Sequence, residues 1–287
     1  MKLQKLKSLS NNQRHTKSPS GGFRGLLQLS KKYLNYHFTA SNGKGHGVHS
    51  PFVFDFITKV LRDKKKYDCY EKIEAVRKEL INDLRLIHVD DFGAGSTVMK
   101  LNERKISAIA RSSLKPKKYA QLLFRIVQYY KPVTIVELGT SFGITTSYLA
   151  SGNKDATVYT CEGATTIASI AQNNFNKLNL NNIELIQGNF DETLPGLLTK
   201  LNKIDLAFID GNHRKEPTLS YFHQLLNHSA ASTILIFDDI HWSEEMEAAW
   251  QEIQNHPSVT LSIDLFFIGI IFLNNNFKVK QQFSIRY

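Results

Sequence analysis

Short apolar runs alternate with amphipathic stretches over the second half of the chain. The apolar runs lie at 134–138, 157–161, 183–187, 204–209 and 233–237, and helical periodicity follows at 143–150, 164–178, 191–201, 217–228 and 243–255. Strands separated by helices indicate βαβ units and a parallel sheet with helices on both faces. Two adjacent apolar runs, 259–265 and 266–273, have no helix between them and predict an antiparallel terminal hairpin. We predict an α/β fold, a Rossmann-like doubly wound seven-stranded sheet with an antiparallel terminal hairpin strand.

The first half of the chain has helical periodicity instead. Amphipathic stretches cover 26–38, 52–61, 68–86 and 106–130, and the last of them is interrupted at Lys115-Pro116. Ser50 followed by Pro51 is a helix start signal, because proline is favoured at the first helical position. We predict three regions: a basic disordered tail over 1–25, an N-terminal helical extension or cap over 26–115, and the main domain over 116–287.

The composition excludes a wholly disordered or fibrous protein. The chain has 287 residues, of which 42% are hydrophobic and 22% charged. Nearly all of its net charge of +10 lies at the N-terminus, because residues 1–54 hold nine basic residues and no acidic one. The remaining 27 basic residues nearly balance the 26 acidic ones. A solvated tail is favoured, and contact of this tail with anionic lipid or RNA is the alternative.

The cellular location is predicted from three sequence features: the apolar runs, the N-terminal pattern and the cysteines. The longest apolar run, 265–273, is less than half of the about 20 residues that a membrane helix needs, so no stable membrane insertion is expected. The N-terminus lacks the pattern of a secretory signal. Cys69 and Cys161 cannot form a disulfide framework or a zinc site by themselves, and they fit a reducing compartment. We predict a cytoplasmic protein.

A glycine turn follows the first predicted strand of the main domain. Glu137 ends that strand, and Gly139 and Gly143 lie in the turn before the next helix. Glycine lets the backbone approach a ligand closely, and the helix N-terminus offers unpaired N–H groups. Glu162 ends the next strand, where a carboxylate can bind the ribose of a nucleoside. The turn lacks the G-x-G-x-x-G pattern of dehydrogenases, so an adenosyl ligand is favoured over a dinucleotide.

Motifs at five successive strand ends resemble those of a known family. They are Glu137-Leu-Gly-Thr-Ser-Phe-Gly143, Glu162, Gly188-Asn-Phe190, Phe208-Ile-Asp-Gly-Asn-His213 and Phe237-Asp-Asp-Ile240. In these motifs residues 116–287 resemble class I S-adenosylmethionine-dependent methyltransferases and are most similar to the catechol O-methyltransferase-like group. The resemblance implies that the turn holds the methionine part of S-adenosylmethionine, that Glu162 binds the ribose hydroxyls, and that Asn189 and Phe190 flank adenine. The cofactor residues that it implies are Glu137, Gly139, Thr140, Ser141, Gly143, Glu162, Gly163, Asn189, Phe190 and Asp210.

Three carboxylates follow the fourth and fifth predicted strands. Asp210, Asp238 and Asp239 are expected in one crevice, since the carboxyl ends of parallel strands face the same ligand site. They would repel one another unless protonated or bridged by a cation, and oxygen ligands suit Mg²⁺ or Ca²⁺. The resemblance implies a divalent metal, such as Mg²⁺, that orients the acceptor hydroxyl and lowers its pKa. Capping of the following helices by Asp210 and Asp239 is the alternative.

Two histidines follow these acids. His213 stands where the catechol-type enzymes carry a lysine base in an Asp-x-x-Lys pattern, so this chain departs from the family at that position. A neutral imidazole can still accept a proton near neutral pH. The predicted catalytic residues are His213, Asp210 and His241. Trp242 is expected either to line the acceptor pocket or to pack a helix.

These observations predict an S-adenosylmethionine-dependent methyltransferase that O-methylates a small-molecule hydroxyl, with or without the help of a divalent metal ion. The alternatives are an RNA-modifying methyltransferase that docks through its basic tail and a non-catalytic nucleoside-binding protein. A nucleic acid partner is disfavoured because the rest of the chain is nearly neutral, and a homodimer stays open.

The role of two loops stays ambiguous. Residues 89–95 mimic a nucleotide turn, but are expected to form a structural turn or substrate loop, and His46 and His49 lie either in a lid or in an exposed connector.

Overall fold

The computed structural model describes residues 23–41, 43, 49–89, 102–274 and 277–287. Most of the predicted tail, His46 and residues 90–95 of the second glycine turn lie outside these ranges, whereas His49 lies within them and is exposed. The first helix begins at Phe23, so the last three residues of the predicted tail are helical.

Ten α-helices and ten β-strands form in the described part of the chain. The helices are α1 Phe23–Thr39, α2 Pro51–Phe56, α3 Asp68–Asn82, α4 Ile106–Ser113, α5 Lys117–Tyr130, α6 Ile144–Gly152, α7 Thr165–Lys177, α8 Phe190–Leu198, α9 Lys215–Asn227 and α10 Glu244–Asn255. The strands are β1 Leu86–Val89, β2 Asn102–Lys105, β3 Thr134–Leu138, β4 Thr157–Glu162, β5 Ile183–Gln187, β6 Ile204–Ile209, β7 Ser229–Asp238, β8 Leu261–Asp264, β9 Ile268–Phe272 and β10 Gln281–Ser284. A π-helical turn, Ile57–Leu61, continues α2.

The central sheet has the strand order β10-β8-β9-β7-β6-β3-β4-β5. Strands β3 to β7 pair in parallel, and β9 runs antiparallel to both β7 and β8, which confirms the predicted fold class and the terminal hairpin. The predicted number of strands is wrong by one, because the sheet has eight strands and not seven. The additional strand, β10, lies at the edge beside β8. Its sequence, Gln-Gln-Phe-Ser, is short and polar, so it produced no apolar run.

The apolar character of the central strands follows from their position. All five residues of β9 and four of the five in β3 are buried, since helices cover both faces of a parallel sheet. The helices before residue 116 contribute to the same apolar clusters. Val53 and Phe56 pack in one cluster with Ile135 of β3, and Ile106 packs in another with Tyr148 of α6.

Two predicted helices of the N-terminal half have different bounds in the structure. The stretch at 68–86 ends as a helix at Asn82, because Leu86–Val89 pairs antiparallel with β2. The stretch at 106–130 forms two helices separated at Lys115-Pro116, as predicted from the proline. Within the described ranges, no helix combines the length and the apolar character that crossing a bilayer requires.

Candidate active site

A cavity of about 730 Å³ opens at the carboxyl ends of the parallel strands. This volume lies within the range of small-molecule sites, and the position is the one at which open α/β sheets bind ligands. The predicted cofactor residues that line it are Gly139, Ser141, Glu162, Gly163, Asn189, Phe190 and Asp210. The structure therefore brings together seven residues from the ends of four strands.

The turn after β3 depends on glycine for its shape. Gly139 has a φ of 105°, which residues with a side chain rarely adopt. A Cβ atom at this position would overlap the carbonyl oxygen of Asp210, which follows the neighbouring strand β6. The N–H group of Gly139 donates to the Cys161 carbonyl at 3.0 Å. The turn is thus held between the two strands that flank β3, with its inner surface toward the cavity.

Glu162 at the end of β4 is anchored by backbone groups. One carboxylate oxygen accepts a hydrogen bond from the Ser141 N–H at 2.8 Å, and the other accepts from the Ala164 N–H at 3.0 Å. Burial raises the pKa of Glu162, and these N–H groups oppose that effect by stabilising the charged form. A carboxylate can accept about four hydrogen bonds, so Glu162 retains acceptor capacity toward the cavity that it lines. Ribose hydroxyls fit this capacity.

We expect Glu162→Gln to weaken binding of S-adenosylhomocysteine by about 10- to 100-fold, because a charge-assisted hydrogen bond is worth roughly 1.5–3 kcal/mol. Isothermal titration calorimetry measures the affinity directly. Glu184→Gln is the matched control, since Glu184 is an exposed acid on the adjacent strand β5. Equal affinities of Glu162→Gln and wild type would contradict the assignment of Glu162 to the ribose.

Three predicted cofactor residues are not among those that line the cavity. Glu137 is fully buried, and its carboxylate accepts hydrogen bonds from the hydroxyls of Thr146 and Thr160. Burial raises the pKa of Glu137 to about 8, against the lowering effect of these two hydroxyls. Thr140 is buried with its hydroxyl 2.6 Å from that of Thr160, and Gly143 lies where a Cβ would overlap the Phe175 ring. These residues support the turn from behind, which the strand-end pattern could not distinguish from ligand contact.

A lysine lies among the predicted metal ligands. The ammonium of Lys115 contacts a carboxylate oxygen of Asp238 and lies 3.4 Å from Asp210 Oδ2. The Lys115 side chain is 9% exposed and that of Asp238 is 1% exposed, so this ion pair is shielded from water. Asp210, Asp239 and Lys115 line the cavity, whereas Asp238 is not among the lining residues.

The chemistry of the carboxylate and imidazole donors suits a metal ion, but a lysine side chain already lies between them. Asp210, His213 and Asp238 each place a ligand atom within 4.8 Å of the others, and Asp239 is not part of this group. Carboxylate oxygens are the ligands that Mg²⁺ prefers. The Lys115 ammonium, however, contacts Asp238 and neutralises the charge that would attract a cation. As arranged, the residues do not fit a divalent ion.

Helix capping does not account for the two acids either. The N-cap residue of α9 is Arg214, and that of α10 is Ser243, whose hydroxyl accepts from the Met246 N–H at 3.1 Å. Asp239 instead has a φ of 52°, and its N–H donates to the Phe267 carbonyl at 2.7 Å. Burial raises the pKa of Asp239, and the nearby Lys115 lowers it.

The two predicted catalytic histidines have different surroundings. His213 lines the cavity, with Nε2 at 3.7 Å from Asp210 Oδ1. His241 is not among the lining residues, and both of its ring nitrogens have carboxylate partners: Glu247 at 3.1 Å and Asp264 at 2.8 Å. Its ring also stacks on Phe266. Of the two histidines, His213 faces the cavity, whereas His241 belongs to a polar cluster with Glu247 and Asp264.

His241 is expected to make the stability depend on pH. Burial lowers its pKa, but Asp264 and Glu247 outweigh burial, and the net shift is upward from 6.5. A raised pKa in the folded state means that the stabilisation is complete below 6.5 and is lost as the pH rises through the folded-state pKa. The unfolding free energy of wild type in urea should therefore fall more steeply than that of His241→Gln as the pH rises from about 6.5 toward 8. Parallel curves would contradict this.

Aromatic side chains also line the cavity. Tyr119 of α5, Trp242 and Phe267 line it beside His213 and Lys115. The rings of Tyr119 and Phe267 are 5.7 Å apart and nearly perpendicular. Trp242 thus lines the cavity, and its contact with an acceptor stays a prediction. Sequence reasoning missed Tyr119, Phe267 and Lys115, because each lies outside the strand-end motifs.

Asn212 is a further cavity residue that the sequence did not single out. It has a φ of 62°, and its Nδ2 donates to the Tyr221 hydroxyl at 3.1 Å. Its buried Oδ1 has no hydrogen-bond partner within the described ranges. Asn212 therefore lines the cavity and keeps one buried acceptor atom that no described residue satisfies.

Comparison with known proteins agrees with this geometry. Residues 136–240 match a family model described as a methyltransferase domain. No curated protein matches the sequence. The match spans the turn after β3, Glu162 and the acids after β6 and β7, and so includes most of the residues that line the cavity.

Solved structures share the fold at low sequence identity. An O-methyltransferase from Bacillus cereus in complex with SAH has 21% identity and a TM-score of 0.53, with 77% of this chain and 97% of that chain covered. An SAH-bound methyltransferase from Podospora anserina has 14% identity and a TM-score of 0.55, with 78% and 96% covered. An O-methyltransferase from Streptomyces achromogenes in complex with SAM has 15% identity and a TM-score of 0.50, with 74% and 92% covered. The family model identifies a methyltransferase domain over residues 136–240, and the solved structures share the fold that the resemblance predicted.

Proposed function

We propose that this methyltransferase transfers the methyl group of S-adenosylmethionine to a hydroxyl oxygen of a small aromatic molecule. One observation carries the proposal: a single cavity joins the nucleoside-type wall of Gly139, Glu162 and Asn189 to a wall that holds His213 and three aromatic rings. Donor and acceptor would therefore share one enclosed space, which is the condition for direct transfer.

The residues around the turn after β3 fit the methyl donor. Glu162 has acceptor capacity for the ribose hydroxyls, and Phe190 offers a ring for the adenine. When bound, S-adenosylmethionine supplies a methyl group on a sulfonium, and in the transfer the C–S bond breaks with its electron pair left on sulfur while a C–O bond forms. Gly139 keeps this wall free of side chains, since a Cβ would already overlap the backbone at Asp210.

His213 is the group that would remove the acceptor proton. Its ring lines the cavity, and Asp210 lies 3.7 Å from Nε2. A carboxylate at this side of the ring can help to orient the imidazole. Asp210 is thus a positioning residue for His213.

The aromatic wall favours a flat acceptor. Tyr119, Trp242 and Phe267 surround the space next to His213, and aromatic pairs gain energy from stacked or edge-to-face contact. A phenolic hydroxyl also loses its proton more readily than an aliphatic one. The acceptor class that this pocket fits is a phenol.

Metal assistance does not enter this mechanism, because Lys115 already contacts Asp238 where the ion would be coordinated. The RNA-modifying alternative depends on the basic tail, of which residues 1–22 lie outside the described ranges. The non-catalytic alternative predicts binding of the nucleoside without product on any acceptor. The cytoplasmic location and the homodimer stay predictions.

The proposal is tested by a methyl-transfer assay with labelled S-adenosylmethionine. The acceptors are a panel of phenols, with aliphatic alcohols, amines and a short RNA as comparisons, and mass spectrometry identifies the methylated atom. We expect methyl ethers of at least one phenol and no labelled RNA. Labelled RNA, or binding of S-adenosylhomocysteine without any product across the panel, would contradict the proposal in favour of one of the two alternatives.

A further inference from the structure

The lysine among the acids is held by its backbone as well as by its charge. Lys115 lies in the loop between α4 and α5, directly before Pro116. Its carbonyl oxygen accepts a buried hydrogen bond from Arg77 Nη1 at 2.8 Å, and Arg77 is in turn bound to Glu74 at 3.0 Å. The carbonyl and the ammonium of Lys115 therefore both have partners in the protein, unlike those of a surface lysine.

The Lys115 ammonium lies between the carboxylates of Asp210 and Asp238. Asp238 is almost fully buried, and a buried carboxylate without a partner is strongly unfavourable. Lys115 contacts Asp238 and lies 3.4 Å from Asp210, so it bridges carboxylates from β7 and from the end of β6. A divalent ion at the same acids would have to displace this charge.

Ser113 also ties the loop to the wall of the nucleoside end. Its hydroxyl lies 2.9 Å from that of Ser141 in the turn after β3. The loop that carries Lys115 is therefore attached both to the turn and to the acids. Lys115, Ser113 and Ser141 all line the cavity, so this segment forms part of its wall.

We propose that Lys115 is a built-in cation, whose ammonium takes the place of a divalent metal ion between Asp210 and Asp238. It supplies positive charge beside the acceptor oxygen, a consequence that rests on the proposed function. The occupation of the acids by the ammonium does not rest on it. Protein and metal compete for the same two carboxylates, and the protein's own charge excludes the metal.

The test is a titration of the purified full chain with Mn²⁺, followed by the electron paramagnetic resonance signal of the free ion. Wild type should show no saturable site at the acids. Lys115→Met should bind Mn²⁺ at least about tenfold more tightly than wild type, because it removes the competing charge and keeps the side-chain length. Adding Asp238→Asn to Lys115→Met should abolish the gained site.

Two controls define the role of the charge at this position. Lys115→Arg keeps a cation and should bind no Mn²⁺, and Lys118→Met, which removes a lysine whose ammonium lies over the Tyr287 ring, should behave as wild type. Saturable binding to wild type that Asp238→Asn removes would overturn the proposal, as would a folded Lys115→Met that gains no site. If Lys115→Met does not fold, the Mn²⁺ titrations of wild type, Asp238→Asn and Lys115→Arg still show whether the acids bind a metal ion in the presence of a cationic side chain.

The titration needs no methyl transfer, so its outcome is separate from that of the proposed function. In the methyl-transfer assay, we expect a chelator to leave the turnover of wild type unchanged. Loss of turnover in chelator that Mg²⁺ restores would overturn the built-in cation and leave the O-methyltransferase intact. Absence of turnover under every condition would contradict the O-methyltransferase and leave the Mn²⁺ result standing.

Discussion

Replacing His213 by alanine is expected to lower the turnover of methyl transfer by about 10²- to 10⁴-fold, the usual contribution of a general base. His213 lines the cavity next to the aromatic wall, and Asp210 lies at the side of its ring. Without the imidazole, the acceptor hydroxyl has to lose its proton to water. The affinity for S-adenosylhomocysteine should stay nearly unchanged, because the nucleoside wall is formed by other residues.

The measurement is turnover with saturating phenol, together with calorimetric affinity for S-adenosylhomocysteine. His223→Ala is the matched control, since His223 is an exposed histidine on α9 that does not line this cavity. Full turnover in His213→Ala would exclude His213 as the base. An equal loss of turnover and affinity would indicate that the substitution distorts the cavity.

Replacing Gly139 by valine is expected to destabilise the fold by more than about 3 kcal/mol, which sums the cost of a left-handed backbone with a side chain and that of overpacking. The sequence suggested that the glycine makes room for a ligand. The structure shows a stricter requirement, because a Cβ would overlap the carbonyl of Asp210 and Gly139 has a φ of 105°. The clash lies just past the carboxyl ends of β3 and β6, which are neighbouring central strands of the sheet.

Unfolding in urea measures this loss without any ligand. Gly196→Ala is the control glycine, because it lies in α8 and a Cβ there meets no atom within 4 Å. Alanine in a helix should raise the stability by about 0.5–1 kcal/mol relative to glycine. A Gly139→Val variant as stable as wild type would show that the turn can rearrange.

The repeating strand–helix units of the fold were predictable from the sequence. The parallel strands are buried on both faces, so each leaves a continuous apolar run, and each helix leaves its own periodicity. The edge strand β10 left no such signal, since its side chains are half exposed and polar. The end of α3 was misplaced for a related reason, because the half-exposed strand at Leu86–Val89 continues the amphipathic pattern.

The site was predictable only where chemistry follows directly from topology. Asp210 and Asp238 end neighbouring strands, so a parallel sheet must bring them together. Lys115 precedes Asp238 by 123 positions and lies in a loop, and no periodic pattern relates the two. The carboxylates did contain a clue, since three of them at one crevice need either protonation or a bridging cation. The sequence could not show whether that cation belongs to the solvent or to the chain.

The segment that follows the first helix pairs with the chain at one edge of the central sheet. Past the end of β10, Ile285 pairs with Ser41, whose N–H donates to the Ser284 carbonyl at 2.8 Å. The Arg286 N–H donates back to the Ser41 carbonyl at 3.0 Å. These bonds occupy backbone groups that an exposed edge strand would offer to a second molecule. The segment after α1 thus hinders the edge-to-edge pairing of sheets that leads to aggregation. Substitutions that weaken its hydrogen bonds to the end of β10 should expose β10 to strand addition.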